Sequence, residues 1–244
     1  MKKYMVTSIQ KLGAKQMAVI GIAVSLLAAM AQEIHAQKAG ADINALIEEA
    51  NNDPINQMMN AAKDGDMVRL ADGISSGVGI DCTNKFGQTQ LMYASAGGHT
   101  NTAGLLLQNK ASLAAKDQLG RTPLMFAAEG NQAGMVRFLI EAGAVVDETD
   151  ALGYTALIHA AKAGGAQAAQ ALIDNKASID IQDGNGITPL IGAVVNRHKD
   201  TAFVLVQSGA RLDIQSKSGF TAEEYARAIK ATNIVNLLQG KVAK

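Results

Sequence analysis

The fold of this chain is decided by an eight-residue stretch that occurs twice. It reads DQLGRTPL over residues 117–124 and DGNGITPL over residues 183–190. Counting outward from the glycine in each copy, a glycine recurs every 33 residues along most of the chain. The recurring glycines are Gly87, Gly120, Gly153, Gly186 and Gly219. A fixed period of this length indicates a repeat protein.

Two further columns keep the same period. A threonine follows each glycine by two residues, and an alanine follows each threonine by five residues. The columns are Thr89, Thr122, Thr155, Thr188 and Thr221, and Ala94, Ala127, Ala160, Ala193 and Ala226. Three independent columns in register exclude coincidence.

Each column has a physical role in a turn that leads into two helices. The glycine permits a positive φ in the turn, and the threonine that follows is a good N-cap. Pro123 and Pro189 fall at the first helical position, and Thr221 with Glu224 forms a capping box. The alanines allow helices to approach closely. A second apolar stretch, as in residues 135–140 or 203–206, predicts an outer helix that ends near Gly143 or Gly209.

These features resemble the ankyrin-repeat family. The resemblance is carried by residues 117–124 and 183–190, with EAGA at 141–144 and QSGA at 207–210 closing their repeats. It implies an all-α solenoid of helix-turn-helix units joined by short β-turn or hairpin loops, over about residues 51–240. The family's histidine after Thr-Pro-Leu, which ties adjacent turns together by hydrogen bonds, is replaced here. Met92, Met125, Ile158 and Ile191 hold that position.

The repeat register divides the chain into segments. A degenerate first repeat is expected over 51–83, and the last repeat has polar Glu223 and Arg227 where the others are apolar or small, which is typical of a terminal cap. Asp42 is expected to cap a short helix over residues 43–50. The predicted segments are 1–31, 32–50, 51–83, 84–116, 117–149, 150–182, 183–215 and 216–240.

The N-terminal segment predicts a bacterial-type export signal. Residues 1–16 are basic and contain no acid, and an uninterrupted apolar stretch follows over 17–31. That stretch is shorter than the roughly 20 residues of a membrane-spanning helix and fits a signal peptide. We expect cleavage after Ala31, or alternatively after Ala36, and a periplasmic or secreted protein. An uncleaved inner-membrane anchor and an amphipathic or buried helix are the alternatives.

Charge and cysteine content limit the functions. The chain has 22 basic and 22 acidic residues, and because four of the basic ones precede residue 32, the remainder has a net charge of −4. Such a body has no basic stripe, so neither nucleic acid nor lasting membrane contact is expected. The single cysteine, Cys82, cannot form an intramolecular disulfide and is expected to be buried and inert.

Candidate chemical motifs are weak. Residues 73–77 match the nucleophile-elbow pattern around Ser75, but that motif needs a strand before the turn. Residues 180–186 look like a calcium loop, but the residues at its alternating ligand positions do not match one. Asp183 is better explained as the start of a turn. We therefore expect no catalytic residue, metal or cofactor. The alternative is a small-molecule, metal or haem binder that uses methionines, His159 and Cys82. His99 and His198, at one repeat position, are expected to be structural.

The turn tips are the expected partner site. In the ankyrin family the tips and the inner helices line a concave surface, and here a large apolar or aromatic side chain recurs in every tip. Tyr154 and Arg121 are the expected anchors, unless the tip side chains pack on neighbouring turns instead. The predicted partner-binding residues are Phe86, Leu119, Arg121, Glu129, Leu152, Tyr154, Lys162, Ile187 and Phe220. The predicted function is a monomeric, non-enzymatic module of the cell envelope that binds one protein.

Overall fold

The computed structural model describes residues 53–240, which all belong to one compact unit, Asn52–Lys244. Within residues 53–240 the chain forms twelve helices and no strand, which confirms the all-α prediction. The predicted leader over 1–31 and the predicted helix over 43–50 lie outside the described residues. No helix within 53–240 has both the length and the apolar character needed to cross a bilayer.

The helices are arranged in pairs whose members are separated by two or three residues. The helices are α1 Pro54–Asp64, α2 Met67–Ser75, α3 Gln90–Gly97, α4 Thr100–Gln108, α5 Pro123–Glu129, α6 Ala133–Glu141, α7 Ala156–Ala163, α8 Ala166–Asp174, α9 Pro189–Val195, α10 Lys199–Gln207, α11 Ala222–Ala228 and α12 Thr232–Leu238.

The pairs stack in two layers. The first helix of each pair contacts the first helix of the next pair, and the second helices contact one another in the same way. The alanine column lies where the first helices meet, and Ala94, Ala127 and Ala160 are completely buried. A methyl group is the largest side chain compatible with such close packing. One continuous core therefore runs through the stack, and each repeat packs only against its neighbours.

Helix starts follow the predicted caps. The Thr155 hydroxyl accepts a hydrogen bond from the Ile158 N–H at 3.3 Å, and Thr188 does the same for Ile191 at 3.2 Å. Pro189 occupies the first turn of its helix. The first repeat uses a different cap, because the Asp53 carboxylate accepts from the Ile55 N–H at 2.8 Å.

The turns of successive repeats are joined although the family's histidine is missing. A backbone N–H in each turn donates to a backbone carbonyl in the preceding turn. The bonds are Gln118 to Phe86 (3.0 Å), Ala151 to Leu119 (2.9 Å), Gly184 to Leu152 (3.1 Å) and Lys217 to Asn185 (2.9 Å). At the position of the histidine, the sulfur atoms of Met92 and Met125 accept from the Thr89 and Thr122 N–H groups at 3.4 Å. The main chain itself thus fixes the spacing of the turns.

The last repeat ends the stack with a polar face. Arg227 and Glu223 form an ion pair at 2.6 Å on the exposed side of α11. The Gln239 amide also donates to the Glu223 carboxylate, at 2.5 Å. The role of this repeat as a C-terminal cap stays a prediction.

Candidate protein-interaction surface

An aspartate shapes each of the three central turns. The Asp117 carboxylate accepts from the N–H groups of Leu119 and Arg121 at 2.9 and 2.8 Å. Gly120 closes the turn with a φ of 77°, and a Cβ there would lie 3.1 Å from the backbone nitrogen of Ala151. Only glycine therefore fits, and the residue before it points away from the stack.

Asp150 and Asp183 repeat this arrangement. The Asp183 carboxylate accepts from the N–H groups of Asn185 and Ile187 at 2.7 and 2.8 Å. Asp183 therefore opens a turn, as predicted, and one of its oxygens is committed to the backbone.

The residue before the glycine forms an exposed apolar row. Phe86, Leu119 and Leu152 are 37%, 52% and 56% exposed, and we call these three residues the tip row. Each of these residues therefore keeps part of its surface open to solvent. The column ends after three repeats, because Asn185 and Ser218 are polar.

The residue after the glycine folds back toward the first helix. Arg121 pairs with the buried Asp117 carboxylate at 2.8 Å, and its guanidinium lies 4.4 Å from the centre of the Phe126 ring. Ile187 packs against the core, and Phe220 is half exposed beside Tyr225 at 5.5 Å between ring centres. The two columns of the turn thus have different environments.

Tyr154 is held by its own repeat. Its hydroxyl accepts from the Lys162 ammonium at 2.6 Å, and its ring lies edge-on to His159 with centres 5.5 Å apart. Since Arg121 is held in a similar way, the expected anchors Tyr154 and Arg121 are both engaged within the chain. Their role in binding stays a prediction, and the tip row offers more free apolar surface.

The first helices carry an aromatic column that the sequence analysis did not identify. Tyr93, Phe126, His159 and Tyr225 occupy the same position on four first helices, and Gly192 stands there in the fifth. The residues after the glycines pack against this column. The 33-residue period alone could have identified it.

Glu129 and Lys162 lie on the same face, at one repeat position. Glu129 is half exposed and lies 3.4 Å from the Arg121 guanidinium. Lys162 is partly buried against the Tyr154 ring, with its nitrogen 3.9 Å from the ring centre. These two charges are the polar part of the predicted surface.

The histidines have structural partners. His99 and His198 hydrogen-bond through Nε2 to the carbonyls of Lys63 (2.8 Å) and Lys162 (3.0 Å) in the preceding repeat. His159 Nε2 lies 2.9 Å from the buried Asp150 carboxylate. Residues 53–240 contain no group of three or more His, Cys, Asp or Glu side chains placed to hold a metal.

Cys82 differs from the prediction, because it is only partly buried. It lies in the irregular segment before the second repeat, outside any helix. Burial nevertheless raises the pKa of the Cys82 thiol above its ordinary value. The thiol is therefore mainly protonated near neutral pH.

Ser75 is the last residue of α2, and no strand precedes it within the described part of the chain. The strand-turn-helix that a nucleophile elbow requires is therefore missing around this serine. The match of residues 73–77 to that pattern is a coincidence of composition at a helix end.

Paired helices, capped turns and an exposed row of tips define a helical repeat solenoid. A family model described as ankyrin repeats, in three copies, matches residues 58–150, 135–218 and 157–241. The chain belongs to the ankyrin-repeat family. Its members generally act as protein-protein interaction modules and are typically not enzymes. A search of the curated proteins found no match.

Proposed function

We propose that this protein is an exported, non-enzymatic module that binds one protein partner in the bacterial cell envelope. The tip row and the adjoining concave face form the binding surface. The observation that carries the proposal is the exposed run of Phe86, Leu119 and Leu152 on turns that the backbone links together.

The energetics favour such a surface. Burying a Phe or Leu side chain completely contributes about 1.5–3 kcal/mol, so three partly exposed side chains can supply a large part of a binding free energy. The hydrogen-bonded turns also limit the entropy lost on binding, because little ordering remains to be done. A rigid apolar row is thus a better docking site than an equal number of scattered residues.

The test is affinity capture with matched variants. The wild-type chain would be crosslinked in an extract of its own cell envelope, and the complexes recovered. The same would be done with a variant in which Phe86, Leu119 and Leu152 are changed to serine. The control carries the same change at Val68, Val145 and Leu212, which are 72%, 64% and 41% exposed and do not lie in the tips. We expect the wild type and the control to capture one dominant protein. The tip variant should capture roughly tenfold less of that protein. Equal capture by all three would contradict the proposal.

Export is supported by the basic start and the apolar stretch over 17–31. Mass spectrometry of the protein recovered from its own cells should find an N-terminus at residue 32 or 37 in the periplasmic or secreted fraction. An intact N-terminus in the cytoplasm would refute export and leave the binding role standing.

A further inference from the structure

Lys162 occupies an unusual place on the concave surface. It lies on α7, in the last of the three repeats that contribute to the tip row. Its ammonium donates to the Tyr154 hydroxyl and lies against the Tyr154 ring. Its alkyl stem covers Gly192, where a Cβ would be 3.2 Å from the Lys162 Cγ. The side chain is therefore held in one direction instead of moving freely in solvent.

Within residues 53–240, no ion pair balances the charge of the Lys162 ammonium. Among the residues that the structure describes, no carboxylate forms an ion pair with Lys162 within 4.0 Å. Asp117 and Glu129 pair with Arg121, and Asp150 faces His159. The buried Asp183 carboxylate accepts from the backbone of its own turn and forms no ion pair with Lys162 within 4.0 Å. A fixed, partly desolvated cation without a counter-charge is a strong site for a carboxylate.

The charge around the tips has the same sign. Lys85 and Lys217 are exposed on the turns, whereas the turn aspartates Asp117, Asp150 and Asp183 are buried. The exposed charged side chains of the turns that contain Lys85 and Lys217 are therefore cationic, although residues 32–244 have a net charge of −4. The exposed lysines favour an acidic partner at the turns, whereas the half-exposed Glu129 disfavours one at its own position.

We propose that the surface recognises a protein segment in which apolar side chains lie next to an acidic one. The apolar side chains contact the tip row, and the aspartate or glutamate accepts a hydrogen bond from Lys162. This inference rests on the proposed function, since it names the chemistry of the partner for the same surface. Glu129, which is paired with Arg121, disfavours a second acid one repeat earlier.

A charge-swap selection tests the inference. A library of random short peptides would be selected on the full chain and on its Lys162→Glu variant. We expect the wild type to enrich peptides with Phe, Leu or related residues next to Asp or Glu. The variant should enrich Lys or Arg at the acidic place, with the apolar residues unchanged.

Affinities of the enriched peptides give a second readout. Fluorescence anisotropy should show binding about tenfold weaker for Lys162→Met, which keeps the alkyl stem over Gly192. The matched control, Lys199→Gln, removes an exposed lysine from the start of α10 and should have no effect. Added salt should weaken binding to the wild type more than binding to Lys162→Met.

The outcomes separate the two proposals. Peptides that depend on Leu119 and Leu152 but are indifferent to Lys162 would overturn the inference and leave the proposed function intact. The same acidic motif selected by wild type and Lys162→Glu would also overturn it. A library that yields no peptide sensitive to the tip row would contradict both.

Discussion

Thr201 has a buried hydroxyl group whose cost to stability can be measured. Among the buried side-chain nitrogen and oxygen atoms of residues 53–240, the Thr201 hydroxyl is the one that has no hydrogen-bond partner. We expect Thr201→Val to raise the free energy of unfolding by about 1 kcal/mol, because valine has the same shape and nothing to desolvate. Urea denaturation measures this change.

The same substitution at Thr188 provides the comparison. The Thr188 hydroxyl accepts from the Ile191 N–H at 3.2 Å as a helix cap. Thr188→Val should therefore lower the free energy of unfolding by about 1 kcal/mol. Two changes of equal sign would contradict the assignment of the two hydroxyls.

Gly164 lies where two adjacent repeats pack closely. Its φ is 80°, and a Cβ would lie 2.6 Å from Nδ1 of His198 in the next repeat. We expect Gly164→Ala to lower the free energy of unfolding by about 2 kcal/mol, since it combines a left-handed backbone with a steric clash. Gly134→Ala is the control, because Gly134 lies in the first turn of α6 with nothing near its Cβ. That change should stabilise the protein by up to about 1 kcal/mol. Thermal or urea unfolding of both variants checks the expected difference in sign.

At the scale of the element, two of the second helices are followed by a lysine with a strained backbone. Lys110 and Lys176 each have a φ of 68°, where the corresponding position in other repeats is Gly143 or Gly209. Replacing either lysine by glycine should raise the free energy of unfolding by about 1 kcal/mol, because glycine adopts this conformation without a Cβ clash. Gly143→Ala should have the opposite effect in the same denaturation experiment. A destabilising Lys110→Gly change would show that the lysine side chain contributes more than the strain removes.

The capping box of α11 makes a pH-dependent contribution. The Glu224 carboxylate accepts from the Thr221 N–H at 2.8 Å and from its hydroxyl at 2.9 Å. These bonds hold the pKa of Glu224 below its ordinary value of 4.5. Because the folded-state pKa is depressed, the stabilisation is fully present above pH 4.5 and is lost as the pH falls through the lower, folded-state value.

Unfolding of the wild type and Glu224→Gln across this pH range measures the effect. The wild type should lose more stability on acidification than the variant. Parallel curves for the two proteins would show that the capping box is not coupled to folding.

At the scale of the whole molecule, we expect the polar face of the last repeat to prevent end-to-end association of chains. Glu223 and Arg227 make the outer face of α11 polar, whereas other repeats hold leucine and a small residue there. Glu223→Leu combined with Arg227→Ala should cause concentration-dependent association, because two exposed apolar repeat faces are buried when they pack together. The same change at the exposed pair Glu141 and Arg137 is the control and should have no such effect. Sedimentation velocity distinguishes the two, and a monomeric cap variant would contradict the role of the cap.

The sequence by itself determined the repeat, the helix pairs and the turns. These features depend on short-range interactions, such as the bond from Thr155 to Ile158 or the Asp117 turn, and their signals lie within a few residues. The 33-residue period then required the units to stack, because a single pair cannot bury its apolar faces. Boundaries and caps followed from the same local chemistry.

Only the tertiary structure decided which side chains of the tips are free. Leu119 and Arg121 are two residues apart, yet one is exposed while the other is fixed by Phe126 and Glu129. Likewise, the hydrogen bond from His198 to Lys162 joins residues 36 apart in sequence. Such contacts depend on how each repeat is rotated against the next, and that geometry results from packing the whole core at once.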